Sequence, residues 1–265
     1  MSGFSKEWLA LRESADAAAR DILLLERMHI TPVEEFRVID LGTGCASNLR
    51  YLAPLRNISQ HWTLVDADQD LLNSVVAPKI ELKLRIEKRV LDLAHDLDAL
   101  DMTKCNLVTA SAFFDLVSKP WVTHLATKCA DAKIAYGLFA LNVDGRVSWT
   151  PQDPDDEEIR NIFTAHMSRD KGFGPALGVH ATDAIENCFK AAGYHVFSGD
   201  SSWQISSDSE KLQSDFMQGY LQAALEQDSS KSEMIEAWAK RRGFHIMAGK
   251  SELVVGHRDV LLCLD

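Results

Sequence analysis

Apolar positions along this chain recur with two different spacings, and the switches between them mark out the elements. Short apolar runs at 36–41 (Val38, Ile39, Leu41), 61–66, 106–111, 133–141, 194–198 and 251–264 predict strands buried on both faces. Between them, apolar residues return every three or four positions and predict helices over 5–28, 48–56, 71–76, 157–167, 180–192, 208–226 and 231–248. The first of these carries Trp8, Leu9, Ala15, Ala19, Ile22 and Leu23 on one side and Arg12, Glu13, Asp16 and Arg20 on another, and Pro32 closes it. Residues 82–91 differ: Leu82, Leu84 and Ile86 alternate with Lys83, Arg85 and Glu87, the pattern of an exposed edge strand.

Strands alternating with helices predict an α/β fold, a doubly wound, seven-stranded, mostly parallel sheet whose last strand runs antiparallel. Asp144-Gly145 lies between two apolar runs and predicts a hairpin after the fifth strand, opening an insertion. The helices at 208–226 and 231–248 are expected to complete the outer layer of the sheet. Neither repeat nor linker divides the 265 residues, so one domain is expected, with a helix at 1–32, a ligand-binding half at 36–140 and an insertion plus the remaining sheet at 141–265.

Charge and cysteine usage narrow the classes of function. The formal net charge of -11 disfavours nonspecific attraction to a nucleic-acid backbone and leaves a small molecule as the default partner. The cysteines at 45, 105, 129, 188 and 263 are odd in number, scattered and without a C-x-x-C pair, as expected of reduced thiols in a cytoplasmic protein. The first residues lack a signal-peptide pattern and no run has the length of a membrane span. No His, Asp or Glu cluster has metal-ligand spacing, so no metal is expected, and a homodimer is compatible with the sequence.

The chemistry concentrates at 36–48, where the first apolar run meets Gly42-Thr43-Gly44-Cys45-Ala46-Ser47-Asn48. A strand, a tight glycine loop and a helix start present free backbone N–H groups to a polar ligand. The dinucleotide fingerprint G-x-G-x-x-G fits badly, because Ser47 stands in its third place and Asp40 at the strand end would repel a pyrophosphate. Asp40 suits an ammonium group instead, so an amino-bearing cationic ligand is favoured over a nicotinamide dinucleotide. The carboxylate of Asp66, at the tip of the second strand, is in reach of a ribose diol.

Val38-Ile39-Asp40-Leu41-Gly42-Thr43-Gly44 resembles the first motif of the class I S-adenosylmethionine (SAM) dependent methyltransferases, with Ala46 where a third glycine is usual. Bacterial members of that superfamily with a loop like Asp170-Lys171-Gly172-Phe173-Gly174-Pro175-Ala176-Leu177-Gly178 extend the resemblance. It implies the Rossmann-like methyltransferase fold, SAM as cofactor with S-adenosylhomocysteine as product, and an N-terminal helix lying over the cofactor as a lid. By the same resemblance Asp40, Gly42, Thr43, Gly44, Asp66 and Ala67 would hold the cofactor, with Asp92 and Leu93 on the adenine and Ser111 and Phe113 beside the sulfonium. Arg12 or Arg20 would meet the methionine carboxylate, or else pair with neighbouring acids at helical spacing. Asp92 has a second reading as the start of a turn before His95, and one of Phe113 and Phe114 is expected in the core.

Methyl transfer from a sulfonium is an in-line displacement in which alignment does most of the work. A hydroxyl or ammonium acceptor also needs a base. His166, close in sequence to the loop at 170–178, is the first candidate and Asp115, the only acid at the mouth of the fourth strand, is the second. The absence after Ser111 of the Asp/Asn-Pro-Pro-aromatic motif found in base methyltransferases argues for a small-molecule O- or N-acceptor. A SAM-binding protein without transferase activity and a nicotinamide-dependent oxidoreductase are the alternatives.

Overall fold

The computed structural model describes residues 5–28 and 33–264; Pro32 lies outside them. Eight strands form one sheet: β1 (Phe36–Leu41), β2 (Gln60–Asp66), β3 (Leu84–Val90), β4 (Leu107–Ser111), β5 (Tyr136–Thr150), β6 (His195–Asp200), β7 (Trp203–Ile205) and β8 (Glu252–Cys263). Their spatial order is β3-β2-β1-β4-β5-β8-β6, with β7 paired to β8. β1 to β5 are mutually parallel and β8 runs antiparallel to β5, β6 and β7. The order reverses between β1 and β4, and ligands of doubly wound sheets bind at such a switch point, outside the carboxyl ends of the strands.

The eighth strand is the one that periodicity does not register, because β7 is only three residues long. The expected hairpin at Asp144-Gly145 does not form either. β5 continues through it to Thr150, absorbing the extra residues as irregularities between Phe139 and Asn142 and between Val143 and Val147, with Leu141 and Gly145 in the left-handed region. A glycine after an aspartate serves a bulge as well as a turn, and here β8 is long enough to keep pairing with β5 on the far side.

The first helical stretch is two helices. α1 (Lys6–Ala19) is capped by Ser5, whose hydroxyl accepts from Trp8 N, and stops at Arg20, which is extended. Asp21 then caps α2 (Ile22–Glu26) by accepting from Leu23 N. One face of the sheet is covered by α5 (Lys119–Asp131) and α7 (Ala181–Ala191), which share a core with Ile39, Val108 and Phe139. The other is covered by α2, α3 (Ser47–Leu52) and α4 (Gln69–Asn73), packed around Val38, Trp62 and Leu64. Both faces are apolar, as the strand runs require.

A third cluster joins α6 (Asp156–Met167), α8 (Glu210–Gln227) and α9 (Ser232–Met247) to the extended halves of β5 and β8. The helices at 208–226 and 231–248 therefore do not complete the outer layer of the sheet. They form a cap, with Arg242 fully buried and paired with Asp156 at its centre. Among the described residues no helix is long and apolar enough to cross a membrane.

Candidate functional site

The loop after β1 is left-handed at three places: Gly42 (φ 60), Gly44 (φ 53) and Ala46 (φ 63). Ala46 thus occupies the third position in the conformation a glycine would take there, at a cost of roughly 1 kcal/mol, and is fully buried. Thr43 N donates to Val65 O (3.0 Å) and Ala46 N to Thr43 O (2.8 Å), which tie the loop to β2 and to itself.

Beneath the loop Asp40 is only 1% exposed. It accepts from Thr43 Oγ1 (2.5 Å) and from Asn48 Nδ2 (2.9 Å), one donor on each carboxylate oxygen. Asp40, expected at an ammonium group, here braces the loop from inside. Burial raises its pKa to about 6 against the lowering effect of those two donors and of Arg20. Arg20 is likewise enclosed, donating to Asp259 Oδ2 (3.1 Å) and Asn48 Oδ1 (3.0 Å) with its guanidinium over Tyr51. It ties the α1–α2 break to β8 and α3 and is not placed to clamp a cofactor carboxylate. Asn48, missed in the sequence reading, links Arg20, Asp40 and Thr109.

Asp66 ends β2 beside this loop. Its Oδ2 accepts from Gly44 N (2.8 Å) and its Oδ1 from Asp68 N (2.9 Å), and burial raises its pKa. Ala67 follows it, exposed, and Asp68 caps α4. Asp92 takes the turn reading: it is exposed and accepts from Ala94 N (3.0 Å) and pairs with His95 Nδ1 (3.0 Å). The side chain of Leu93 is in the core, and its carbonyl accepts from Trp121 Nε1 (2.6 Å). The turn uses the carboxylate of Asp92, and the core takes the side chain of Leu93. Ser111 ends β4 half-buried, and the ring of Phe113 packs directly against Gly42. Phe113 and Phe114 are both buried in the same core, Phe114 lying 4.2 Å from Phe139 between ring centroids.

Past the end of β4 lies a cavity of about 550 Å³, walled by α1, the extended part of β5, α6, α8 and the extended part of β8. Trp8, Val143, Phe163, Trp203 and Phe216 make its surface mostly apolar. Arg12 stands in this wall. Its guanidinium is bound by both carboxylate oxygens of Asp16 (2.9 and 3.0 Å) and lies 4.8 Å from the ring centre of Trp203, whose Nε1 donates to Asp16 Oδ1 (3.0 Å). Arg12 is therefore both paired at helical spacing and part of a ligand-sized space.

The cavity also brings together the two proposed proton acceptors. Asp115 has a buried Oδ1 with no hydrogen-bond partner; burial raises its pKa while Arg12 and Lys171 pull it down. His166 sits 3.2 Å from Glu226 Oε2, and burial followed by the charge of Lys171 lowers its pKa. The loop at 170–178 is pinned beside them. Asp170 Oδ1 accepts from Gly172 N (2.7 Å) and Gly174 N (3.0 Å), Gly178 N donates to Asp115 O (3.0 Å), and Phe173 packs on Phe113 and Trp121.

Two lining groups escaped the sequence reading: His257 lies in β8, where the apolar run reads only as core, and α8 reads only as scaffold. Trp203, just past the sixth predicted strand where the sequence reading lets 200–203 face the substrate, sits on the short β7 and lines the cavity. His257 is buried, and its pKa falls to about 4 through burial and the charge of Arg12. Among the described residues no group of three or more His, Cys, Asp or Glu side chains could hold a metal ion.

No protein-family model matches the chain, and no curated protein matches it. Solved structures do. A cyclopropane-fatty-acyl-phospholipid synthase-like protein from Lactobacillus casei aligns over 99% of this chain and 95% of its own, with 12% identity and a TM-score of 0.59. A SAM-dependent methyltransferase from Geobacter sulfurreducens, solved with S-adenosyl-L-homocysteine, aligns over 99% and 92% at 15% identity and a TM-score of 0.42. A cyclopropane synthase from Mycobacterium tuberculosis aligns over 91% and 81% at 10% identity and a TM-score of 0.48. The likeness that counts is the first, and at that identity it is one of fold: the chain has the Rossmann-like sheet expected from its motifs, with eight strands in place of seven.

Proposed function

We propose that this chain is a methyltransferase that uses SAM to methylate an oxygen or nitrogen atom of a small molecule. One juxtaposition carries the reading: the left-handed Gly42–Gly44 loop, with Asp66 at its side, packs on Phe113, and the same segment supplies Ala112 and Asp115 to a cavity that His166 also borders. The residues fit the cofactor. Asp66 has two donors on a carboxylate that accepts about four, leaving room for a ribose diol. The orphaned Oδ1 of Asp115 offers a counter-charge near the cavity. When bound, SAM supplies an electrophilic methyl group on a sulfonium. Gly42, Thr43, Gly44 and Asp66 are the residues assigned to hold it.

The chain's own part is to align, to exclude water and to move one proton. The apolar walls fix the acceptor and keep water from it. His166, held neutral near pH 7 by its lowered pKa and oriented by Glu226, takes the acceptor's proton on its ring. Asp115 is second in line, the raised pKa making it a stronger base once ionised. A small-molecule acceptor, a cytoplasmic setting that keeps the five cysteines reduced, and the absence of a nucleic-acid partner belong to the same proposal.

Calorimetric titration of the folded chain with S-adenosylhomocysteine, with NADH as control, tests the cofactor. Micromolar binding of the former alone is the expected result, and substrate-dependent turnover of SAM would then separate an enzyme from a passive binder. No binding of S-adenosylhomocysteine by folded protein overturns the reading, and binding of NADH in its place would make the chain a nicotinamide enzyme.

A further inference from the structure

Basic side chains border the cavity on several sides, and all but one of the full charges among them are neutralised. Arg12 is held by Asp16, Arg146 by Asp144 (2.7 Å) and Asp200 (2.8 Å), and His166 faces Glu226. Lys171 lines the cavity half-buried and, among the described residues, makes neither an ion pair nor a hydrogen bond. Its charge still reaches the site, since it favours the ionised form of Asp115 and opposes protonation of His166.

We infer that the cavity takes an amphipathic anion: an apolar or aromatic body seated among Trp8, Phe163 and Phe216, with a carboxylate or similar acid group on the ammonium of Lys171. A partly desolvated ammonium without a partner is held at a cost that an anionic ligand group removes. The backbone that carries it is fixed before the ligand arrives, because Asp170 Oδ1 accepts from Gly172 N and Gly174 N across Lys171. The aromatic part of the wall, away from Asp115, offers a cationic ligand little. The faces of Trp8 and Trp203 that would attract an ammonium already carry the Arg12 guanidinium, at 5.9 and 4.8 Å from their ring centres. A cavity of about 550 Å³ suits a ligand the size of a substituted bicyclic ring or a short acyl chain.

Calling this anion the methyl acceptor rests on the proposed function; its binding does not. The test titrates the 265-residue chain, without cofactor, with 2-naphthoate, 2-naphthamide and 2-naphthylmethylammonium. The naphthoate should bind about tenfold or more tightly than the amide, and the ammonium compound most weakly. Lys171→Met keeps an apolar stem and should bring naphthoate down to the affinity of the amide while leaving the amide unchanged; Lys171→Arg should keep the preference. Equal affinities for the three probes, tightest binding of the ammonium compound, a preference that survives Lys171→Met, or no binding of any probe overturns the inference. The unmodified protein alone decides the first two outcomes, so a variant that does not fold leaves the test intact. Failure of S-adenosylhomocysteine to bind beside a clear naphthoate preference would remove the proposed function and keep the anion site, and the opposite pair of results would do the reverse.

Discussion

A Cβ on Gly42 would lie 2.4 Å from Cδ2 of Phe113, so the first loop glycine and the aromatic residue after β4 share one space. With Gly42 also at φ 60, any side chain there meets both a clash and a strained backbone. Gly42→Ala should lower stability by about 2–4 kcal/mol in urea denaturation. Adding Phe113→Leu should relieve the overlap but not the dihedral, so the double variant should cost less than the two single ones together. Strict additivity would mean that the ring is not what holds Gly42 bare.

Asp66 is both the loop's anchor and the residue assigned to the ribose. Asp66→Ala should weaken binding of S-adenosylhomocysteine by about 10- to 100-fold, the loss of hydrogen bonds to a charged acceptor. Unchanged affinity in a folded variant would remove Asp66 from the site.

The buried carboxyl of Asp40 makes stability depend on pH with a definite sign. Its pKa rises from 3.8 to about 6 on folding, so between those values the folded chain binds more protons than the unfolded one. Stability from this group therefore falls as pH rises across that window, by about 3 kcal/mol in all, and is flat above it. Asp66 and Asp115 act in the same direction, whereas Asp92, Asp153 and Asp200 act in the opposite one. The difference between the native chain and Asp40→Asn, measured by denaturation at pH 4 and pH 7, isolates Asp40. A difference that does not change with pH would show that Asp40 does not titrate in this range.

What the sequence makes legible here is what depends on local period and local turn chemistry. Val38, Ile39 and Leu41 followed by Gly42 and Gly44 identify β1 and its loop, since burial on both faces and left-handed backbone each leave a residue-level mark. The role of Asp40 does not show in that way. Its approach to Thr43 is local, but its other partner is Asn48, and the nearby charge of Arg20 is held by Asp259, more than two hundred positions away from either. Arg20 could be read as a free cation for the same reason. The acceptor side is less legible still: Trp203, His257 and Phe216 are brought together only by the pairing of β7 with β8 and the packing of α8. A Trp in a three-residue strand and a His in an apolar run carry no periodic signal of a cavity. His166 and Asp115 were reachable because each stands beside a break in pattern, one at a helix end and one past a strand end.

The proton step ties the rate to His166 through a pH dependence whose direction follows from its surroundings. Burial and Lys171 push its pKa below 6.5, against the raising effect of Glu226. The base form therefore dominates at neutral pH, and kcat should fall only as pH drops through a value below 6.5, where the ring becomes protonated. His166→Gln should lower kcat by about 100-fold and remove that acidic limb, leaving KM for SAM unchanged. Glu226→Gln takes away the carboxylate that favours the imidazolium, so the limb should move to still lower pH while most of the rate at pH 8 survives. A limb that stays in place in Glu226→Gln and persists in His166→Gln would belong to another group, and Asp115, whose raised pKa gives the same direction of change, would then be the base.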